Sequence, residues 1–151
     1  MSSFEKNISP KNAVLAVGSV AFDSIRTPSG IAERILGGSA NYFSISASFF
    51  TNINLVGIVG SDFPNDHFEV LRKRGIDLSG LETAPGQTFH WVGEYGSDLN
   101  EAKTLSTFLN VFEHFDPKLP EAYCDSRYLF LANIDPDLQR SVHSQTRKPA
   151  F

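Results

Sequence analysis

The chain has one cysteine among its 151 residues, Cys124, so no internal disulfide can form. A lone thiol fits a reducing compartment, and the expected location is cytoplasmic. Basic excess is also missing: 13 Lys and Arg stand against 17 Asp and Glu, for a net charge of −4. No basic stripe offers the phosphate-neutralising footprint of a nucleic-acid binder. The short run Arg72-Lys73-Arg74 reads as the basic last turn of a helix. Apolar runs are short. None approaches the roughly 20 residues of a membrane span, and the polar start from Met1 to Asn12 has no signal-peptide core. The four histidines, His67, His90, His114 and His143, are scattered without cysteine partners, which argues against a zinc site. Neither nucleic acid, membrane nor metal is therefore an expected partner.

What is present is an ordinary apolar fraction, 41%, enough for one globular core. Ala13 to Val17 reads as a buried strand closed by a Gly18-Ser19 turn. Ile31 to Leu36 reads as a half-exposed strand, and Gly37-Gly38 interrupts the chain after it. Ser39 to Phe50 is ambiguous. Ser44, Ser46 and Ser48 alternate with Ile45, Ala47 and Phe49, as in a strand, yet Tyr42, Ile45 and Phe49 also share one helical face. Ile53 to Gly60 predicts a buried strand. Asp66 to Arg74 predicts a helix with Phe68 and Leu71, and also Val70, turned inward, capped by Asn65 or Asp66 and stopped by Gly75. Strand, helix and strand in this order predict an α/β fold with a parallel sheet.

The texture changes at residue 88. Phe89, Trp91, Gly93 and Tyr95 alternate with Thr88, His90, Val92 and Glu94, and Lys103 to Phe108 reads as the return strand of a hairpin. An aromatic face of this kind must cover something. Tyr128 to Ala132 predicts another buried strand, and Pro136 to about Ser144 a helix with proline in its first turn. A dinucleotide-binding reading fails, because Gly18 opens no Gly-x-Gly-x-x-Gly fingerprint.

Three segments together carry a resemblance. They are Val17-Gly18-Ser19-Val20-Ala21-Phe22-Asp23, then Gly37-Gly38-Ser39-Ala40-Asn41, then Asn54-Leu55-Val56-Gly57-Ile58-Val59-Gly60-Ser61-Asp62. Leu71 to Asp77 continues the match through Arg74-Gly75-Ile76-Asp77. In order and spacing over about residues 13 to 80, the chain resembles the ribokinase-like (PfkB-type) carbohydrate and nucleoside kinases. The resemblance implies a ribokinase-like parallel sheet with helices on both faces, plus a small β-sheet lid. It implies that residues 1–151 form the amino-terminal part of one such domain, with lid segments at about 24–36 and 81–111. It also implies that Asn41 to Phe50 is a helix. Two departures accompany the match. Ala21 stands where the family often has asparagine, which leaves the acceptor open, and the glycine motif is one residue short.

The expected substrate-binding residues are Asp23, Gly37, Gly38, Asn41, Phe89, Trp91, Phe108 and Asn133. Asp23, at a strand end, would accept hydrogen bonds from sugar hydroxyls, or it caps a turn. Gly37 and Gly38 would let a ligand approach the backbone and reach helix-start amides, or they form a plain turn. Asn41 would bind a hydroxyl or cap its helix. Phe89, Trp91 and Phe108 would close over a sugar or base, pack within the hairpin, or form a lid-to-lid homodimer. Asn133 would lie at a strand's carboxyl end, where open sheets bind ligands, or cap the helix before Pro136.

The family's Gly-Ala-Gly-Asp run, with its catalytic aspartate, has no match here, so no catalytic residue is expected. Asn110-Val111-Phe112-Glu113 fits the family's Asn-x-x-Glu metal motif in letters only. ATP and magnesium belong to the complete family member and are not expected to bind this chain well. The expected role is the substrate-binding half of a sugar or nucleoside kinase, inactive alone. The alternative is a stand-alone sugar-binding or dimerisation module.

Overall fold

The computed structural model describes residues 12–147, 149 and 150. The polar start through residue 11, with Lys148 and Phe151 of the ending, lies outside the described residues. Two four-stranded sheets are present. The core sheet has the order β5-β4-β1-β8, built from β1 (Val14–Val17), β4 (Ile53–Gly60), β5 (Ile76–Ala84) and β8 (Tyr128–Leu131), and all its pairings are parallel. The lid sheet has the order β3-β2-β6-β7, built from β2 (Ala21–Thr27), β3 (Gly30–Gly37), β6 (His90–Tyr95) and β7 (Ala102–Phe108).

Strand β4 is buried along its whole length, as a central parallel strand covered on both faces must be. Alternation sends Leu55 and Val59 into one cluster with Ala16, and Val56 and Ile58 into the other with Leu15 and Val17. Helices α1 (Ser39–Ala47) and α2 (Asn65–Lys73) cover the first face, through Ala40, Phe43, Phe68 and Leu71. Helix α3 (Pro136–Gln145) covers the second through Leu138 and Val142, joined by the single-turn segments Asn110–His114 and Glu121–Tyr123. The expected parallel sheet with helices on both faces is present, and so is the small second sheet. Among the described residues no helix is long and apolar enough to cross a membrane.

Several elements fall differently from the sequence expectation. The chain leaves the core sheet after Val17 and enters the lid at Ala21, so Asp23 lies inside a lid strand rather than at the end of a core strand. Residues 81–84, expected to open the lid, complete β5 in the core. Eight-residue β4 needs partners for its backbone groups along its whole length, and Leu81 to Ala84 pair with Gly57 to Gly60. Ser39–Ala47 is a helix, against the period-two hint. It turns small and polar residues inward (Ala40, Asn41, Ser44) and leaves Phe49 and Phe50 exposed beyond its end, which is why periodicity could not identify it. Helix α2 starts at Asn65 after Pro64 and has no side-chain cap, while Gly75, at φ 71, ends it as expected.

The lid is tied to the core at one charged joint. Arg34 sits at a bulge in β3 with φ 50, and its guanidinium reaches Asp62 in the turn after β4 at 2.7 Å. The same guanidinium lies 4.1 Å from the centroid of the Phe22 ring. Asp62 also accepts from the Thr88 backbone N–H and hydroxyl, both at 2.7 Å, just ahead of β6. One carboxylate thus gathers β3, the β4 turn and the approach to β6. Partial burial works to raise its pKa, but the bonds from Thr88 and Arg34 outweigh that and hold it below the ordinary 3.8. A depressed carboxylate contributes stability that is present above 3.8 and lost as pH falls through its lower folded value. Asp62→Asn is therefore expected to lower the urea midpoint at neutral pH and to flatten the acid limb of stability against pH. Equal acid limbs in the two proteins would remove Asp62 from this role.

Candidate functional site

The site is built where the two sheets meet. Gly38 precedes α1 at φ 96, a left-handed conformation that favours glycine. A Cβ there would lie 2.4 Å from the Ser19 carbonyl oxygen, so the crossing also needs glycine for space. Helix α1 has no side-chain cap of its own. Ser19 supplies the cap from across the chain. Its hydroxyl accepts from the Ser39 N–H at 2.9 Å, and its carbonyl accepts from Ala40 and Asn41 at 3.2 and 3.4 Å. These helix-start amides, expected to be free for a ligand, are therefore already occupied.

Asp23 stands on β2 with its carboxylate directly over Gly37. A Cβ on Gly37 would come within 2.3 Å of the Asp23 Cγ. The Tyr42 hydroxyl, from the first turn of α1, donates to Asp23 Oδ2 at 3.4 Å. Burial raises the Asp23 carboxyl above its ordinary range, while the Tyr42 bond and the nearby His90 pull it back down. Tyr42 is itself raised by burial and by Asp23, with a smaller contribution from Tyr95. Trp91 of β6 is the register partner of Asp23 across the parallel β2–β6 pair, so both project from the same face of the lid. Its ring lies over Gly93, and its indole N–H donates to Thr104 at 3.1 Å. Asp23, Gly37, Trp91 and Tyr42 thus come together.

Other expected residues separate from this group. Phe108 pairs with His90, not with Trp91, so it lies on the opposite face of the lid and is 51% exposed. The hairpin's bulge between Val92 and Gly93 comes later and does not bring it back. Phe89 stacks on Phe112 at 5.3 Å, which stacks on Phe115 at the core, so its ring is committed to packing. Asn41 is fully buried, and neither its amide oxygen nor its amide nitrogen has a protein partner. It is the helix's third residue and not its cap. Asn133 reaches the site through its backbone, whose N–H donates to Ser39 Oγ at 3.2 Å, while Ser39 Oγ also meets Ser19 Oγ at 3.0 Å. Asn133 does not cap α3; Asp135 does, accepting from the Asp137 N–H.

Sequence reasoning missed Ser19, Ser39 and Tyr42 as parts of this arrangement. Ser19 and Ser39 lie inside the quoted motifs, so membership of those motifs was the available signal. Tyr42 follows Asn41, but only the folded register places it on Asp23.

Because a Gly37 side chain would displace only the tip of Asp23, Gly37→Ala should keep the fold and move the carboxylate. Its urea midpoint should stay close to wild type while the Asp23 carboxyl titration, followed by carbon NMR, shifts. An unchanged titration would mean that Gly37 does not set the carboxylate's place.

No family model matches the chain. It is 27% identical over 128 residues to a cytidine kinase of Thermococcus kodakarensis, covering 83% of this chain and 45% of that protein. Among solved structures it is similar to a ribokinase from Cryptococcus neoformans var. grubii serotype A in complex with ADP, with TM-score 0.71 and 18% identity, over 89% of this chain and 45% of the other. It is also similar to a nucleoside kinase from Methanocaldococcus jannaschii, with TM-score 0.66 and 17% identity, over 91% of this chain and 50% of the other. The chain spans about half the length of each of these relatives, and over that span its fold is the ribokinase-like fold.

Proposed function

We propose that this chain forms the acceptor-binding side of an ATP-dependent sugar or nucleoside kinase, with Asp23 as the group that holds an acceptor hydroxyl. One observation carries the reading. A partly buried carboxylate, raised above its ordinary range, stands on a glycine floor beside Tyr42 and Trp91 at the junction of sheet and lid. A carboxylate desolvated in this way is costly to leave ionised without donors. Sugar hydroxyls supply donors, and bonds to a charged acceptor are the stronger kind. The likeness to a cytidine kinase and a nucleoside kinase supports the same class. The proposed location is cytoplasmic.

Among the described residues no three His, Cys, Asp or Glu side chains converge as metal ligands. In the proposed role, magnesium and the nucleotide belong to the half of a complete kinase that this chain does not span. Its proposed part is to bind the acceptor, orient it and exclude water with the lid. By itself it should bind without phosphorylating. A second reading, a non-catalytic sugar-binding and dimerisation module, draws on the exposed Ile31, Leu105 and Phe108 of the lid.

Titration calorimetry of the chain with ribonucleosides and with free ribose tests the reading. Binding is expected for at least one of them, and Asp23→Asn should weaken it by about 1.5–3 kcal/mol. Product assays with magnesium and ATP should show no turnover by this chain alone. Failure of every acceptor to bind, or equal binding by Asp23→Asn, would sink the proposal.

A further inference from the structure

Tyr42 stands beside Asp23 in this group. Tyr42 is 47% exposed, so its ring is not a core residue placed there by packing alone. Its backbone is fixed, because the Tyr42 N–H donates to the Gly38 carbonyl at 3.0 Å in the first turn of α1. That turn is itself anchored to Ser19. The phenol therefore reaches Asp23 from a rigid base. It donates to Oδ2, and Oδ1 receives no protein donor among the described residues. Gly37 blocks the carboxylate from below. Asp23 is thus held at one side and at one oxygen, with the second oxygen available.

We propose that Tyr42 is a positioning residue for Asp23: its hydroxyl occupies one carboxylate oxygen and so directs the other toward an acceptor hydroxyl. This rests on the reading of Asp23 as the acceptor-binding group. A hydrogen bond to the ionised carboxylate also keeps it ionised to lower pH than burial alone would allow. Tyr42 from α1 bonds Asp23 directly, and His90 of β6, on the opposite face of the lid, acts on it only through charge. Tyr95 of β6 acts on Tyr42, and Arg34 and Asp62 act on His90. Removing the phenol hydroxyl leaves the His90 contribution in place, so any change isolates Tyr42.

The test is Tyr42→Phe, which keeps the ring and loses only the hydroxyl. In the ligand-free chain the Asp23 carboxyl, followed by carbon NMR, should titrate at higher pH in the variant than in wild type. Where an acceptor binds wild type, its affinity for the variant at neutral pH should fall roughly three- to tenfold. The pH midpoint of binding should move upward in step with the NMR midpoint, a shift that loss of packing alone would not produce. An unchanged Asp23 titration overturns the proposal whether or not any acceptor binds. If wild type binds nothing while the titration shifts, the coupling stands and the acceptor reading of the site fails instead. If wild type binds and Asp23→Asn abolishes binding but Tyr42→Phe leaves affinity and midpoint alone, the acceptor reading survives and Tyr42 has no part in it.

Discussion

Gly38 crosses Ser19 at a distance that only a residue without a side chain permits. The rest of the molecule is arranged around that crossing. Two strands leave it, β1 into the core sheet and β2 into the lid. One strand and one helix meet it from the other direction, β3 from the lid and α1 toward the core. Ser19 closes it by capping α1 with its hydroxyl and its carbonyl together. A helix start ordinarily needs a cap within its own strand of chain. Here the cap comes from the neighbouring segment, so helix formation and sheet-to-lid alignment are one event. The same crossing sets Gly37 under Asp23, because β3 can reach α1 only by passing that point.

The second tie, Arg34 with Asp62 and Thr88, works on the opposite face of the lid from Asp23. It joins β3 and β6 to the turn after β4. The lid is therefore fixed at its base at two places, one steric and one ionic. Between them lies the strip of β2 that carries Asp23. The exposed tip beyond, around Thr27 to Gly30 and Tyr95 to Ala102, has no comparable tie among the described hydrogen bonds. The carboxylate sits on the fixed part of the lid, as a group that must be held in place requires.

Much of this was legible in the sequence. The largely apolar run from Ile53 marked a buried strand, and helical spacing turned Phe68 and Leu71 of α2 inward correctly but also offered Val70, which is exposed. The order of strand and helix gave the α/β class. What could not be read locally has physical causes. Helix α1 buries asparagine and serine and exposes phenylalanine, so its polarity runs against the usual pattern. Only three residues separate β1 from β2, and nothing in Ser19 or Val20 announces the change of sheet. The face of Phe108 depends on which residue of β6 it meets, and pairing with His90 rather than Trp91 turns it away from Asp23. For Tyr42 the deciding contact is with a residue on another strand in another sheet. Composition and spacing along the chain carry no trace of it.

The parallel pairing of β2 with β6 has one more result. Parallel neighbours cannot be joined by a tight turn, and here the link between them runs through β3, α1, β4, α2 and β5. The lid is consequently not a detachable flap. During synthesis its first hairpin must wait, with one edge unpaired, until nearly the whole first face of the core has been made. Pairings so distant in sequence are slow to form. The chain's one tryptophan, Trp91, lies on the arriving strand. Its indole emission is thus a built-in clock for the last step of lid assembly, separate from the collapse of the core.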